Sequence, residues 1–285
     1  MFLFVYGTLR KGETNHALLQ GLDCIAEQAY TTGNLYDTGY GYPGYVEEGN
    51  EKVFGEIYFL PENLLPAVDR LEGYQPGRKD NLYERITKKI ITDEKEIEAV
   101  VYVYNDTASL DKKVPFQDWK VYQWLKEKKA VAYFAYGSCM DTERIEAAGM
   151  EDAFQQWEAA EAENHRVDYT QHRADGARAN LLEAGKEPAE GILYTVPSGA
   201  VEYLFRREGV KKGAYRPAFI NVRTQNRSMA ALTFIVLESK APKAPPWHYA
   251  KEILRGAQRG LSREYQHKLL ERMKELNTEL YPEEL

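Results

Sequence analysis

Residues 131–141 read VAYFAYGSCMD. The run is apolar and aromatic until Gly137, and a hydroxyl at Ser138 and a thiol at Cys139 follow. The first twelve residues, MFLFVYGTLRKG, make the same transition at Tyr6-Gly7-Thr8, 130 positions earlier. Two more landmarks recur in the same order. GEIYFL from Gly55 matches GILYTV from Gly191, and RLEGY from Arg70 matches RREGV from Arg206, both at an offset of 136. Three ordered matches at nearly one spacing identify two diverged copies of a single domain.

Each copy carries strand-like runs rich in β-branched and aromatic residues. In the first these are FLFVYG, KVFGEIYFL, YERITKKIIT and EAVVYVYN; in the second, AVAYFAYG, EGILYTV, YRPAFINV and AALTFIVLE. TGYGYPGY, punctuated by glycine and proline, reads as loop. PENLLPAVDRLEGY places Leu64, Leu65, Val68 and Leu71 at helical spacing and stops beside Gly73. Short strands interrupted by single helices predict α+β domains with a small closed sheet. The expected boundaries are residues 1–105, a helical linker over 106–129, and 130–285 with a C-terminal helical extension.

Composition narrows the function. A formal charge of −7 over 285 residues argues against a nucleic-acid or anionic-membrane partner, which calls for a basic face. Two cysteines, Cys24 and Cys139, and five scattered histidines suit neither a disulfide framework nor a metal site. No apolar run approaches the ~20 residues of a membrane span, and the N-terminus lacks a basic n-region. A cytoplasmic enzyme or binding protein is expected, with no metal, no cofactor and no obligate protein partner.

In chemical terms, a glycine turn after a strand lets a ligand approach the backbone and permits a positive φ. Its following N–H groups can hold an anion or oxyanion. A single such turn is ordinary strand punctuation, but two of them beside a recurrent glutamate call for more. Glu72 and Glu208 each sit late in an apolar-spaced helix and precede a glycine. Either could be a solvated helix-end residue, although the macrodipole disfavours a carboxylate there. A catalytic base is the alternative.

The ordered set YFAYGS, EGILYTV, REGVKKGAY and PWHYAKEILRGAQRGLSREY in residues 131–285 resembles the γ-glutamylcyclotransferase family. YGTLRKGETNH, GNLYDTGYGYPGY, VFGEIYFL and LEGY in residues 1–105 resemble its shorter γ-glutamylamine cyclotransferase and AIG2-like relatives. The resemblance implies two tandem domains, each a small mixed β-barrel with flanking helices and one cofactor-free pocket. It also implies a reaction in which the α-amine of a γ-glutamyl amide attacks its own γ-carbonyl, giving 5-oxoproline and a free amine or amino acid. Carried onto matching positions, it makes Glu208 and Glu72 the general acid/bases. Tyr6, Gly7, Thr8 and Leu9, and Tyr133, Phe134, Ala135, Tyr136, Gly137 and Ser138, become the substrate loops, with Tyr215 and Tyr249 as walls of the second pocket.

The sequence departs from the family pattern at Cys139, where the usual residue is Asn. A thiol replaces an amide able to hydrogen-bond across the loop. Cys139 as a nucleophile would need a neighbouring base to form thiolate, and none adjoins it in sequence, so a packing role is expected. Arg78 and Lys79 in the insert QPGRKDN read as solvated loop, and His16, His165 and His172 as packing or surface residues. A rival function is a protein that binds a γ-glutamyl ligand without turning it over.

Overall fold

The computed structural model describes residues 1–184 and 188–281. The chain divides into two compact units, Met1–Glu127 and the remainder from Lys128. The first unit contains β1 (Phe2–Val5), β2 (Cys24–Asp37), β3 (Pro43–Phe59), α1 (Leu65–Leu71), β4 (Tyr83–Ile91), β5 (Glu96–Tyr104), the two-residue β6 (Lys112–Lys113) and α2 (Trp119–Glu127). Strand order 3-1-5-4-2, with β2 also paired to β3, closes a five-stranded barrel, and β6 is appended to β2. β1 runs antiparallel to β3 and parallel to β5, where Leu3 faces Val100, so the sheet is mixed.

β1 is buried on both faces, which explains its unbroken apolar sequence. Phe4 and Tyr6 enter one core cluster with Leu35, Ile57, Ile90 and Val101. Leu3 and Val5 enter the other with Tyr58, Leu60 and Val68 of α1. The period of two along the strand thus splits its side chains between the barrel's two sides.

The second unit repeats the plan with β7 (Val131–Ala135), α3 (Glu143–Ala147), β8 (Trp157–Ala162), β9 (Arg166–Arg173), β10 (Gly176–Leu182), β11 (Ala189–Val196), α4 (Ser198–Arg207), β12 (Tyr215–Arg223), β13 (Ser228–Val236), α5 (Trp247–Gln258) and α6 (Arg263–Glu275). Its closed barrel has order 11-7-13-12-8, with β9 and β10 forming a separate hairpin. Again the first strand pairs antiparallel with one neighbour and parallel with the other, through Tyr133 and Leu232.

The duplication extends to single contacts. A Cβ on Gly55 would lie 2.4 Å from the Val5 carbonyl oxygen and 2.7 Å from the Phe4 ring. A Cβ on Gly191 would meet Ala135 O and the Phe134 ring at those same distances. The glycine in each GEIYFL/GILYTV run therefore lets the first strand lie flush against its neighbour.

Two sequence expectations change. Residues 106–127 are not a linker but part of the first unit: Trp119 is fully buried in its core, and Val114 N–H donates to Leu35 O at 2.8 Å. Each barrel also has one more strand than its sequence announces, β2 and β8. The C-terminal extension is helical as expected and consists of α5 and α6, broken at Gly260–Ser262, where Ser262 Oγ caps α6 by accepting from Tyr265 N–H at 3.1 Å. No described helix is long and apolar enough to cross a membrane.

Candidate active sites

Both glutamates occupy the C-cap of the helix after the third barrel run, with nearly the same backbone: φ −80° and ψ 1° at Glu72, φ −80° and ψ −4° at Glu208. The glycines behind them, Gly73 and Gly209, take φ of +62° and +65°. This left-handed residue stops the helix and turns the chain back, which aims each carboxylate at the end of the first strand.

In the first unit Glu72 lines a cavity of about 550 Å³ together with Tyr6, Gly7, Thr8, Leu9 and Tyr83. All five residues named for this unit from the sequence thus converge. The phenols are committed to other partners: Tyr6 OH donates to Tyr102 O and Tyr83 OH to Pro43 O, each at 2.6 Å, and Tyr102 OH donates to Asp69 Oδ1, also at 2.6 Å. Among the described residues no hydrogen bond or ion pair reaches the Glu72 carboxyl. Burial alone pushes it up to about 7, because an ionised carboxylate is costly among aromatic rings without a counter-charge. Glu72 keeps part of its surface accessible, as a residue at a cavity mouth does, while its carboxyl is desolvated.

That shift has a measurable sign. Unfolded, Glu72 ionises near its ordinary value of 4.5; folded, near 7. Between these the unfolded chain sheds a proton the folded one keeps, so stability falls with rising pH, by up to about 3 kcal/mol. Glu72→Gln is therefore expected to be more stable than the parent at pH 8 but not at pH 4. Urea midpoints at the two pH values check this; an equal difference at both contradicts it.

Gly7 and Gly137 act through space rather than through a positive φ, which neither adopts. A Cβ on Gly7 would lie 2.7 Å from Pro43 Cγ, and one on Gly137 3.3 Å from the Tyr249 hydroxyl. The turns are superposable in their bonding: Arg10 N–H donates to Gly7 O and Met140 N–H to Gly137 O, at 3.1 and 3.0 Å. In the first unit Asn15 Nδ2 also donates to Thr8 Oγ1 at 3.0 Å, and a His16 ring nitrogen bonds Leu9 O at 3.1 Å.

In the second unit Glu208 lines a tighter pocket of about 290 Å³ with Tyr133, Tyr136, Gly137, Ser138, Tyr215 and Tyr249. Ala179, on the β9–β10 hairpin, ties two of them together. Its carbonyl accepts from Tyr215 OH at 2.6 Å, and its N–H donates to Tyr249 OH at 3.1 Å. Phe134 and Ala135 do not reach this pocket; both are buried against Gly191 instead. Tyr249 is delivered by α5, which packs closely on the turn because Gly256 leaves room for Met140: a Cβ there would fall 2.5 Å from Met140 Cβ.

Cys139 touches the Glu208 carboxyl directly. Its thiol donates to Glu208 Oε1 at 3.0 Å, and burial pushes it up to about 12, so it is a neutral donor and not a thiolate. Burial also raises Glu208, but the thiol hydrogen bond and the cations of Arg207 and Arg144 partly offset the rise. The two carboxylates thus sit in different fields.

Several residues in or behind the sites carry no signal in the sequence. Arg207 adjoins Glu208 and donates to Ser138 O and Tyr203 OH, each at 2.9 Å. Arg10, directly after the first turn, is wholly buried between Glu56 Oε1 at 3.2 Å and Asp118 Oδ1 at 2.7 Å. Lys120 Nζ completes this group at 2.8 Å from Glu56, which is drawn down to about 2 mainly by Lys120 and Arg10 against the cost of burial. Only Tyr83 left a clear signal, since it follows Glu72 as Tyr215 follows Glu208, each opening a strand. Elsewhere the expectations from single residues hold: Arg78 pairs with exposed Asp80 at 2.7 Å, and His165 and His172 bond carbonyls of Glu163 and Ala241.

The comparisons agree with this doubled geometry. Residues 3–121 match the family model described as "Gamma-glutamyl cyclotransferase, AIG2-like", and residues 189–269 match the AIG2-like family. A Bacillus subtilis protein named "Putative gamma-glutamylcyclotransferase YkqA" is 40% identical over 279 residues, spanning 96% of this chain and 98% of its own. The crystal structure of YkqA superposes with a TM-score of 0.87 at 39% identity, covering 98% of this chain and 99% of that one. The "Gamma-L-glutamyl-butirosin B gamma-glutamyl cyclotransferase" of Niallia circulans is 41% identical over 122 residues, 42% of this chain and 76% of that protein. On this near full-length match, the chain belongs to the AIG2-like γ-glutamyl cyclotransferase family, with two such domains in tandem.

Proposed function

We propose that each unit is a cofactor-independent γ-glutamylcyclotransferase, converting a γ-glutamyl amide into 5-oxoproline and the released amine. The names of the relatives support the reaction class, and the observation that carries it is Glu72, a buried carboxyl held near pH 7 beside a glycine turn. The α-amine must lose a proton as it attacks. Against an amine near ~8, an ordinary glutamate would take that proton uphill by about 5 kcal/mol; one near 7 needs only about 1.4 kcal/mol.

The cavity holds the glutamyl arm folded, so that nitrogen and γ-carbonyl meet intramolecularly, an advantage of up to ~7–11 kcal/mol when the positioning is good. As the new C–N bond forms, the carbonyl oxygen gains charge. Backbone N–H groups of residues 8–9 and 138–139 are its candidate donors, worth roughly 3 kcal/mol each. The same glutamic acid then returns its proton to the departing nitrogen as the old amide C–N bond breaks. Glu208 has the same role, with Cys139 donating to the carboxylate where the family has Asn.

The test is 5-oxoproline release from γ-glutamyl dipeptides, γ-glutamylamines and glutathione. Product from at least one class is expected. Saturable binding of the same compounds with no product would instead favour a γ-glutamyl-binding protein.

A further inference from the structure

The two sites differ most outside the glutamyl pocket. The first cavity continues into Leu71, Leu82, Tyr42 and Pro43, and no basic residue lines it among those described. The second opens into a basin of about 900 Å³ that shares Ser138, Glu208, Tyr215 and Tyr249 with the inner pocket. Four arginines line that basin: Arg144, Arg173, Arg178 and Arg207.

Each is tied to the site. Arg207 and Arg144 bear electrostatically on Glu208, and Arg173 on Tyr215. The Arg178 guanidinium lies 4.9 Å from the centre of the Tyr249 ring, a cation–π contact that holds it at the mouth. Two of the four are neutralised locally, Arg178 by Asp175 at 2.9 Å and Arg144 by Glu252 at 2.9 Å. Among the described residues Arg173 bonds the amide oxygen of Gln171, and Arg207 a carbonyl and a phenol. Two guanidinium groups therefore face the basin without a carboxylate salt bridge among the described residues, beside a pocket in which burial disfavours ionised Glu208.

We propose that this basin is a leaving-group subsite for a γ-linked acidic residue or peptide carrying two or more carboxylates, with Arg173 and Arg207 as its specificity-determining cations. The first site, lacking cations, takes uncharged or amine-bearing leaving groups. Planar guanidinium forks suit carboxylates in paired geometry, and a cluster at a cleft mouth also raises the local concentration of anions. The inference rests on the cyclotransferase reading of the same site.

Its test uses the full chain with Glu72→Gln, so that only the second site can turn over. The substrates are γ-glutamyl-glutamate, γ-glutamyl-alanine and γ-glutamyl-butylamine. The acidic dipeptide is expected to have the highest kcat/KM and to lose it as salt rises. Adding Arg173→Gln, an exposed position, should cut the preference for γ-glutamyl-glutamate over γ-glutamyl-butylamine at least tenfold, chiefly through KM. An unchanged preference overturns the subsite. Calorimetric binding to the Glu72→Gln, Glu208→Gln chain, with and without Arg173→Gln, separates the two layers. Charge-selective binding that Arg173→Gln weakens, without product from any parent enzyme, sinks the reaction but keeps the subsite. Binding indifferent to leaving-group charge sinks the subsite even if product forms.

Discussion

The chain carrying both Glu72→Gln and Glu208→Gln is expected to release no measurable 5-oxoproline, each single change silencing one substrate class by about 10²–10⁴-fold in kcat. Glutamine keeps the size and the hydrogen-bonding arm of glutamate but cannot take the ammonium proton. KM should therefore move little while kcat collapses, the pattern of an interaction made only in the transition state. Urea unfolding of each single variant is the folding control for the mutated unit. The pH dependence should differ as well. The first site's activity should rise as Glu72 ionises near 7. In the second the opposing effects of burial and of Cys139, Arg207 and Arg144 set the corresponding limb. Full activity in the double variant would remove both glutamates from the mechanism.

The second large effect concerns stability. Asp118→Ala should destabilise the first unit by about 3–5 kcal/mol, because it leaves Arg10 buried with one counter-charge fewer. Arg10 and Asp118 are both fully buried, and with Glu56 and Lys120 they form a balanced set of two cations and two anions. Removing a matched pair is different in kind. Arg10→Met with Asp118→Leu leaves Glu56 and Lys120 neutralising each other and should recover most of the loss. Urea unfolding of the three proteins decides it. A cost below about 1 kcal/mol for Asp118→Ala would mean that solvent or rearranged neighbours replace the carboxylate. Because Arg10 directly follows the Tyr6–Leu9 turn, first-site activity should fall with stability in Asp118→Ala, while the second site continues.

What could be read from the sequence was whatever the duplication repeated. Tyr6 with Tyr136, Gly55 with Gly191 and Glu72 with Glu208 stand out because each pair performs the same local task, and the structure puts them in equivalent places. β2 and β8 were missed for compositional reasons. CIAEQAYTTGNLYD mixes Glu, Gln and Asn into a strand with irregular register, and WEAAEA has the alanine and glutamate of a helix former. Residues 106–127 look like a connector because 106–113 are polar; their partners, Leu35, Arg10 and Glu56, lie 64 to 108 positions earlier. The arginine basin was equally invisible. Its members come from α3, the β9–β10 hairpin and α4, separated elements that only the fold brings to one mouth.

The position of β1 also governs the order in which the first unit can form. The strand precedes all of its partners in the chain: it pairs with β3 and β5, and the turn it carries is fastened by Asp118. Its partners come later in the chain by 51 residues for Val5 and Glu56, 97 for Leu3 and Val100, and 108 for Arg10 and Asp118. Until then an apolar hexapeptide with unpaired backbone groups must wait, and its chief alternative is pairing with another nascent copy. Folding dominated by such long-range pairing is slow. The Tyr6–Leu9 turn, which precedes every segment that fastens it, is accordingly among the last parts of its unit to be secured, and a ribosome-stalled chain ending before Asp118 should hold the barrel strands without a secured turn.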